Sequence, residues 1–137
     1  MNRKILIIIT LGIIITFSSI LIYYVKPQFL NSEIDYGNVS IEQAKSLIES
    51  KPYLFILDVR TQEECDNGHI EGAILIPIDE LENRLDELSN NDELLVYCRT
   101  GNRSLSAMNI LRVNGFTKIY HMKDGITGWI KAGYLTI

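Results

Sequence analysis

A thiol, two guanidinium groups and a glycine fall within six consecutive positions, Cys98-Arg99-Thr100-Gly101-Asn102-Arg103. A cysteine is a nucleophile only as its thiolate, and nearby positive charge, a helix N-terminus and inward-turned backbone N–H groups all favour that form. Gly101 is free to take positive φ, which lets successive N–H groups turn toward one point. The same cradle suits an oxyanion or a persulfide. It needs no general base, which fits the lack of a histidine beside Cys98. The plain alternative is an inert cysteine that ends a strand, because cysteine is commonly buried.

Such a loop needs a strand to deliver the thiol and a helix to receive the chain, and the flanking sequence supplies both. Glu93 to Tyr97 (ELLVY) reads as a buried strand ending at Cys98, and Ser104 to Val113 as a helix closed by Asn114-Gly115. Upstream, Ser40 caps a helix with Ile41, Ala44, Leu47 and Ile48 on one face, and Tyr53 to Val59 is a continuous apolar run. Thr61 caps a short acidic stretch, Gly72 to Pro77 is a second short strand, and Ile78, Leu81, Leu85 and Leu88 recur at helical spacing. Lys118 to Met122 is a last strand, and Ile126, Trp129 and Ile130 mark a final helix with Trp129 in the core. Apolar strands alternating with helices predict an α/β fold, a central parallel β-sheet with helices on both faces. Ligands of such sheets bind outside the carboxyl ends of the strands, the edge where Cys98 stands.

The 137 residues, 47% of them hydrophobic, carry a net charge of -4. The apolar content is uneven: Ile5 to Val25 is an uncharged run of 21 residues, while Pro27 to Ile137 holds 10 basic and 17 acidic residues, a net charge of -7. The run is long enough for one N-terminal transmembrane helix. Residues 1–26 are therefore expected to be a membrane anchor, 27–34 a linker and 35–137 the domain. Arg3 and Lys4 before the run, against Lys26 after it, favour an N-terminus inside and a single-pass protein whose domain lies outside the cytoplasm. The alternative is a cleaved signal and a secreted or periplasmic domain. An acidic domain without a basic run argues against nucleic acid as a partner. Two cysteines, Cys65 and Cys98, exclude a disulfide framework and match no zinc spacing, so neither a metal nor a cofactor is expected.

Three segments together resemble a known family. Leu57 to Pro77 (LDVRTQEECDNGHIEGAILIP), Val96 to Ser104 (VYCRTGNRS) and Asp124 to Tyr134 (DGITGWIKAGY) look like the signatures of a single-domain rhodanese, in order and spacing. The resemblance spans about Asp35 to Tyr134 and implies the rhodanese-like parallel sheet. It implies that Cys98 accepts sulfur and that the amides of Arg99, Thr100, Gly101, Asn102 and Arg103 hold the persulfide. Asp58 and Arg60 match the family's strand-end Asp-x-Arg, where pairing orders neighbouring loops and Arg60 is the one expected to reach the site. His69 resembles a structural hydrogen-bonding histidine. His121, near a strand end, is read as a satisfied polar residue.

Related phosphatases and arsenate reductases use a loop one residue longer, whereas here Arg103 follows Cys98 after four residues and Ser104 stands at the longer loop's arginine position. A sulfurtransferase is favoured over those enzymes, and over a membrane-tethered binding or sensing module, which in relatives usually lacks the cysteine. The implied partners are a small anionic sulfur donor such as thiosulfate, or a persulfide, and a thiol, protein or cyanide acceptor. Arg99 and Arg103 are expected to attract the donor. Cys65, where the family often has an aromatic residue, is a candidate to resolve the Cys98 persulfide or to pair with Cys98.

Overall fold

The computed structural model describes residues 35–137, so the apolar run and the linker expected over 27–34 lie outside the described residues. No described helix is long and apolar enough to cross a membrane.

The first helix shows how local sequence sets the elements. Ser40 and Gln43 form a reciprocal capping box, with Ser40 N–H donating to Gln43 Oε1 at 2.9 Å and Gln43 N–H to Ser40 Oγ at 3.2 Å. The helix, α1, runs Ile41–Ser50 and buries Ile41, Ala44 and Leu47 at threefold spacing. It follows a short strand, β1 (Gly37–Val39), which the sequence pattern does not reveal because only three residues take part and one is the polar Asn38. Then come β2 (Phe55–Asp58), α2 (Gln62–Asp66, capped by Thr61), β3 (Ile74–Leu75) and α3 (Ile78–Leu81). A single 3-10 turn at Leu85–Glu87 leads to β4 (Leu94–Tyr97), α4 (Asn102–Val113), β5 (Ile119–Met122) and α5 (Gly125–Lys131).

Among the described residues all five strands pair in parallel, in the order β1-β5-β4-β2-β3. Strand alternation divides the core into two layers. On one face Leu57, Leu94, Val96 and Ile119 pack against Ala107, Met108 and Leu111 of α4; on the other Ile56, Leu95, Tyr120 and Met122 pack against α1 and α5. β4 is the central strand and is buried along its whole length, so the loop that follows it starts from the most constrained part of the sheet.

Several elements differ in extent from the sequence expectation. The run from Tyr53 begins as a turn, leaving Tyr53 itself 94% exposed, and only Phe55–Asp58 is strand. The helical spacing from Ile78 to Leu88 is not one helix: after Leu81 the backbone bonds become i to i+3, with Arg84 N–H on the Leu81 carbonyl. Leu81 and Leu88 are still buried, so short turns achieve the burial that the spacing signals. α4 starts at Asn102 instead of Ser104, because Gly101 takes φ +100° and turns the chain directly into the helix.

Candidate functional site

Cys98 directly follows β4 at the carboxyl edge of the sheet and is 1% exposed as a residue. Burial alone would push its thiol pKa up. Hydrogen bonds from the Ser104 hydroxyl and from the N–H groups of Ser104, Thr100 and Gly101 outweigh that and bring the thiol below its ordinary value. The Gly101 N–H lies 3.1 Å from Sγ and the Ser104 hydroxyl 3.5 Å. Gly101 is obligatory here, since a Cβ at this positive φ would stand 1.9 Å from the Lys123 carbonyl oxygen.

The outer face of the loop is held by the start of α5. The Ile126 N–H donates to the Cys98 carbonyl at 2.8 Å and the Thr127 N–H to the Arg99 carbonyl at 3.1 Å. Tying down the Arg99 carbonyl fixes the peptide plane that carries the Thr100 N–H, one of the donors to the sulfur. Gly125, with φ +58°, makes the approach possible: a Cβ there would lie 2.4 Å from the Arg99 oxygen and 2.6 Å from the Cys98 oxygen. Sequence reasoning placed Ile126 in a terminal helix and missed this role. The signal was present in the segment Asp124-Gly125-Ile126-Thr127-Gly128-Trp129, where a glycine opens a helix directly after a strand.

The charged residues divide differently from expectation. Arg103 forks onto Glu64, with Nη1 and Nη2 at 2.6 and 2.7 Å from the two carboxylate oxygens. Glu64 is also the capping-box partner of Thr61, so the pair ties the Cys98 loop to the start of α2. The Arg103 hydrogen bonds hold the Glu64 carboxyl down at about 2, against an opposing effect of burial, and Glu64 in turn raises Arg103. Arg103 is thus matched by an acid, while Arg99 is exposed and forms no ion pair among the described residues. The expectation of two guanidinium groups available to an anion reduces to one.

Arg60 is buried and held by fixed partners, and it also borders the cavity beside the Cys98 loop. Its Nε donates to Asp58 at 2.9 Å, and its terminal nitrogens reach Asp58, the Glu64 carbonyl and the Gly68 carbonyl. Asp58, fully buried, also accepts from the Tyr97 hydroxyl at 2.8 Å, and that hydroxyl accepts from the Ile70 N–H at 3.2 Å. Buried charge is thereby paired and hydrogen-bonded. A shallow cavity of about 390 Å³ opens beside the loop, lined by Arg60, Glu64, Arg99, Ile126 and Ile130 among others. His69 has Nδ1 3.1 Å from the Cys65 carbonyl and its backbone paired to Ile137. Cys65 and Cys98 are both free thiols, and burial pushes the Cys65 thiol up.

His121 lies behind the loop, with Nε2 3.0 Å from both the Gly101 carbonyl and Ser104 Oγ. Thr100 and Asn102 have exposed side chains; Thr100 contributes its backbone N–H to the sulfur, while Asn102 opens α4.

The rhodanese-like domain model matches residues 40–132. The putative sulfur carrier protein YrkF of Bacillus subtilis is 38% identical over 91 residues, covering 66% of this chain and 49% of that protein. A sulfurtransferase of Allochromatium vinosum is 29% identical over 102 residues, covering 74% of this chain and 91% of that one. The chain thus spans about half the length of the first relative and most of the second. Among solved structures, a rhodanese-related protein from Thermoplasma volcanium superposes with a TM-score of 0.68 at 31% identity, covering 74% of this chain and 98% of its own.

Proposed function

The chain belongs to the rhodanese-like domain family, and from that membership and the geometry at Cys98 we propose that it is a sulfurtransferase carrying sulfane sulfur as a persulfide on Cys98. The observation that carries the reading is the set of N–H and hydroxyl donors converging on Sγ, which stabilise the thiolate without a base. The relatives' names, a sulfur carrier and a sulfurtransferase, support the same chemistry.

In the proposed cycle the Cys98 thiolate attacks the outer sulfur of thiosulfate or of a persulfide donor. The donor S–S bond breaks, its electron pair leaves with sulfite or with the donor thiolate, and the sulfane sulfur stays on Cys98. An acceptor thiolate or cyanide then attacks the outer sulfur, and Cys98 departs as thiolate. The loop N–H groups face the charge that develops at sulfur during both displacements. Arg99 supplies the local positive potential that draws an anionic donor to an otherwise acidic domain. The length of the Cys98 to Arg103 loop supports sulfur over a tetrahedral phosphate, which needs a wider cradle.

We further propose that residues 1–26 anchor the domain to a membrane with its N-terminus inside, from the length of the uncharged run and the flanking Arg3 and Lys4. The full chain, purified in mild detergent and incubated with thiosulfate, is expected to gain the mass of one sulfur atom. Cys98→Ala should not gain it. Retention of the mass gain in that variant, or its absence from the parent, overturns the assignment.

A further inference from the structure

His121 is a buried ionisable residue for which the cycle above has no use. It stands on β5, on the face shared with Ile119 and directed at α4, and is 4% exposed. An imidazole in a core layer costs stability unless both nitrogens are satisfied. Nε2 is 3.0 Å from the Gly101 carbonyl and 3.0 Å from Ser104 Oγ. Nδ1 is 2.8 Å from Asn38 Oδ1, at the matching register position of β1.

The Gly101 carbonyl selects the tautomer. A carbonyl oxygen has no proton to give, so the contact with Gly101 requires the ring proton on Nε2. Burial keeps the ring neutral by lowering its pKa, opposed by the hydrogen bond to Gly101 and aided by the Arg112 charge on α4. Nδ1 is then a bare acceptor, which cannot bond an amide oxygen, so this tautomer requires the Asn38 amide turned by half a rotation, with Nδ2 in the place of Oδ1. The Gly101 oxygen already receives the Leu105 N–H at 2.9 Å. With the ring N–H added, both of its lone pairs are occupied. The Ser104 hydroxyl, 3.0 Å from that carbonyl and 3.5 Å from Sγ, is left with the sulfur as its free acceptor.

We propose that His121 is a positioning residue for the Cys98 thiolate: by directing its Nε2–H to the Gly101 carbonyl and the Ser104 oxygen, it aims the Ser104 hydroxyl proton at the sulfur. A chain of polar contacts then runs from the edge strand β1 through Asn38, His121 and Ser104 to Cys98. Without the ring, the hydroxyl turns to the Gly101 carbonyl and the thiolate loses a donor. This rests on Cys98 as the nucleophile but not on the identity of donor or acceptor.

The test is the pH dependence of Cys98 alkylation by iodoacetamide, in the full chain carrying Cys65→Ala so that one thiol reports. His121→Leu should lower the rate at pH 7 about three- to tenfold and move the profile to higher pH, the effect of losing one neutral hydrogen bond to the thiolate. Ser104→Ala should do the same, and the double variant should equal either single one. His121→Gln, which retains an N–H within reach of the carbonyl, should recover the rate to within about twofold. An unchanged profile in His121→Leu, or additive shifts in the double variant, overturns the proposal. If His121→Leu is recovered unfolded, Asn38→Ala at the exposed edge strand replaces it. It must shift the profile when Ser104 is present and not in Ser104→Ala, and equal shifts or none in both backgrounds overturn the proposal. Because alkylation reads only the thiolate, failure here leaves the persulfide mass gain intact, and loss of that gain leaves this result standing.

Discussion

The Arg103 guanidinium meets the Glu64 carboxylate through both of its terminal nitrogens, at 2.6 and 2.7 Å, and so locks the Cys98 loop to the helix that follows β2. A bidentate pair of this kind fixes orientation as well as charge. It also spends at a structural contact the arginine that loop position alone would assign to substrate.

The pair has an acid signature. Glu64 is held at about 2, below the ordinary carboxylate value of 4.5. A depressed carboxylate stabilises the fold above its unfolded pKa, and that contribution is lost as pH falls from about 4.5 toward about 2. Both partners are partly solvated, so about 1–2 kcal/mol is expected at neutral pH. Glu64→Gln should therefore melt several degrees below the parent at pH 7, with the gap closing near pH 2.5. Thermal unfolding at the two pH values checks this, and an equal gap at both would show that the pair carries no titratable stability.

Gly125→Ala should be among the most damaging single-methyl additions in the domain. The new Cβ would press on the Arg99 and Cys98 carbonyls at 2.4 and 2.6 Å, at a positive φ that already disfavours a side chain. The combined strain and clash should cost about 3 kcal/mol or more. Gly133→Ala is the control, since its φ is +84° and nothing lies within 4 Å of the added carbon. Backbone conformation alone should then cost about 1–2 kcal/mol. Urea denaturation compares the two, and similar losses would mean that contact between α5 and the loop carbonyls is not tight.

Much of this arrangement is legible in the sequence because strand β4 and its loop are adjacent along the chain. The apolar run to Tyr97 delivers Cys98 to the sheet edge, and Gly101 announces the turn. Ser40 and Thr61 likewise signal their helices, since capping is decided within four residues. What is not legible depends on contacts between distant segments. Glu64 reads as one acid among several until folding brings it across to Arg103. His121 reads as a polar residue in an apolar strand until β5 lies beside α4. Asn38 belongs to a strand too short to show a pattern, and its pairing with β5 alone gives it a role. Arg60 looks available by position, yet Asp58 and two carbonyls occupy it.

The two thiols should separate by reactivity. Burial pushes Cys65 up, and the loop donors bring Cys98 down. With substoichiometric iodoacetamide at pH 7, peptide mapping should find label on Cys98 well before Cys65. The preference should weaken as pH rises past the ordinary thiol range and Cys65 ionises too. Equal labelling at neutral pH would mean that the donors around Sγ do not stabilise its thiolate.

Arg99 and Arg103 should fail in different ways when removed. Arg99 is exposed and unpaired among the described residues, so Arg99→Ala should leave thermal stability within about 0.5 kcal/mol of the parent. Its loss removes the charge that an anionic donor meets, and KM for thiosulfate should rise about tenfold, the equivalent of one charge-assisted contact. Arg103→Ala leaves the partly buried Glu64 carboxylate without its partner and releases the loop from α2. That variant should lose about 1–3 kcal/mol of stability and lose kcat more than it raises KM, because the donors around Sγ are no longer held in place. Steady-state thiosulfate kinetics together with thermal unfolding separate the two patterns. Were Arg103→Ala to raise KM at unchanged stability, the arginine would belong to the donor site and the Glu64 contact would be incidental.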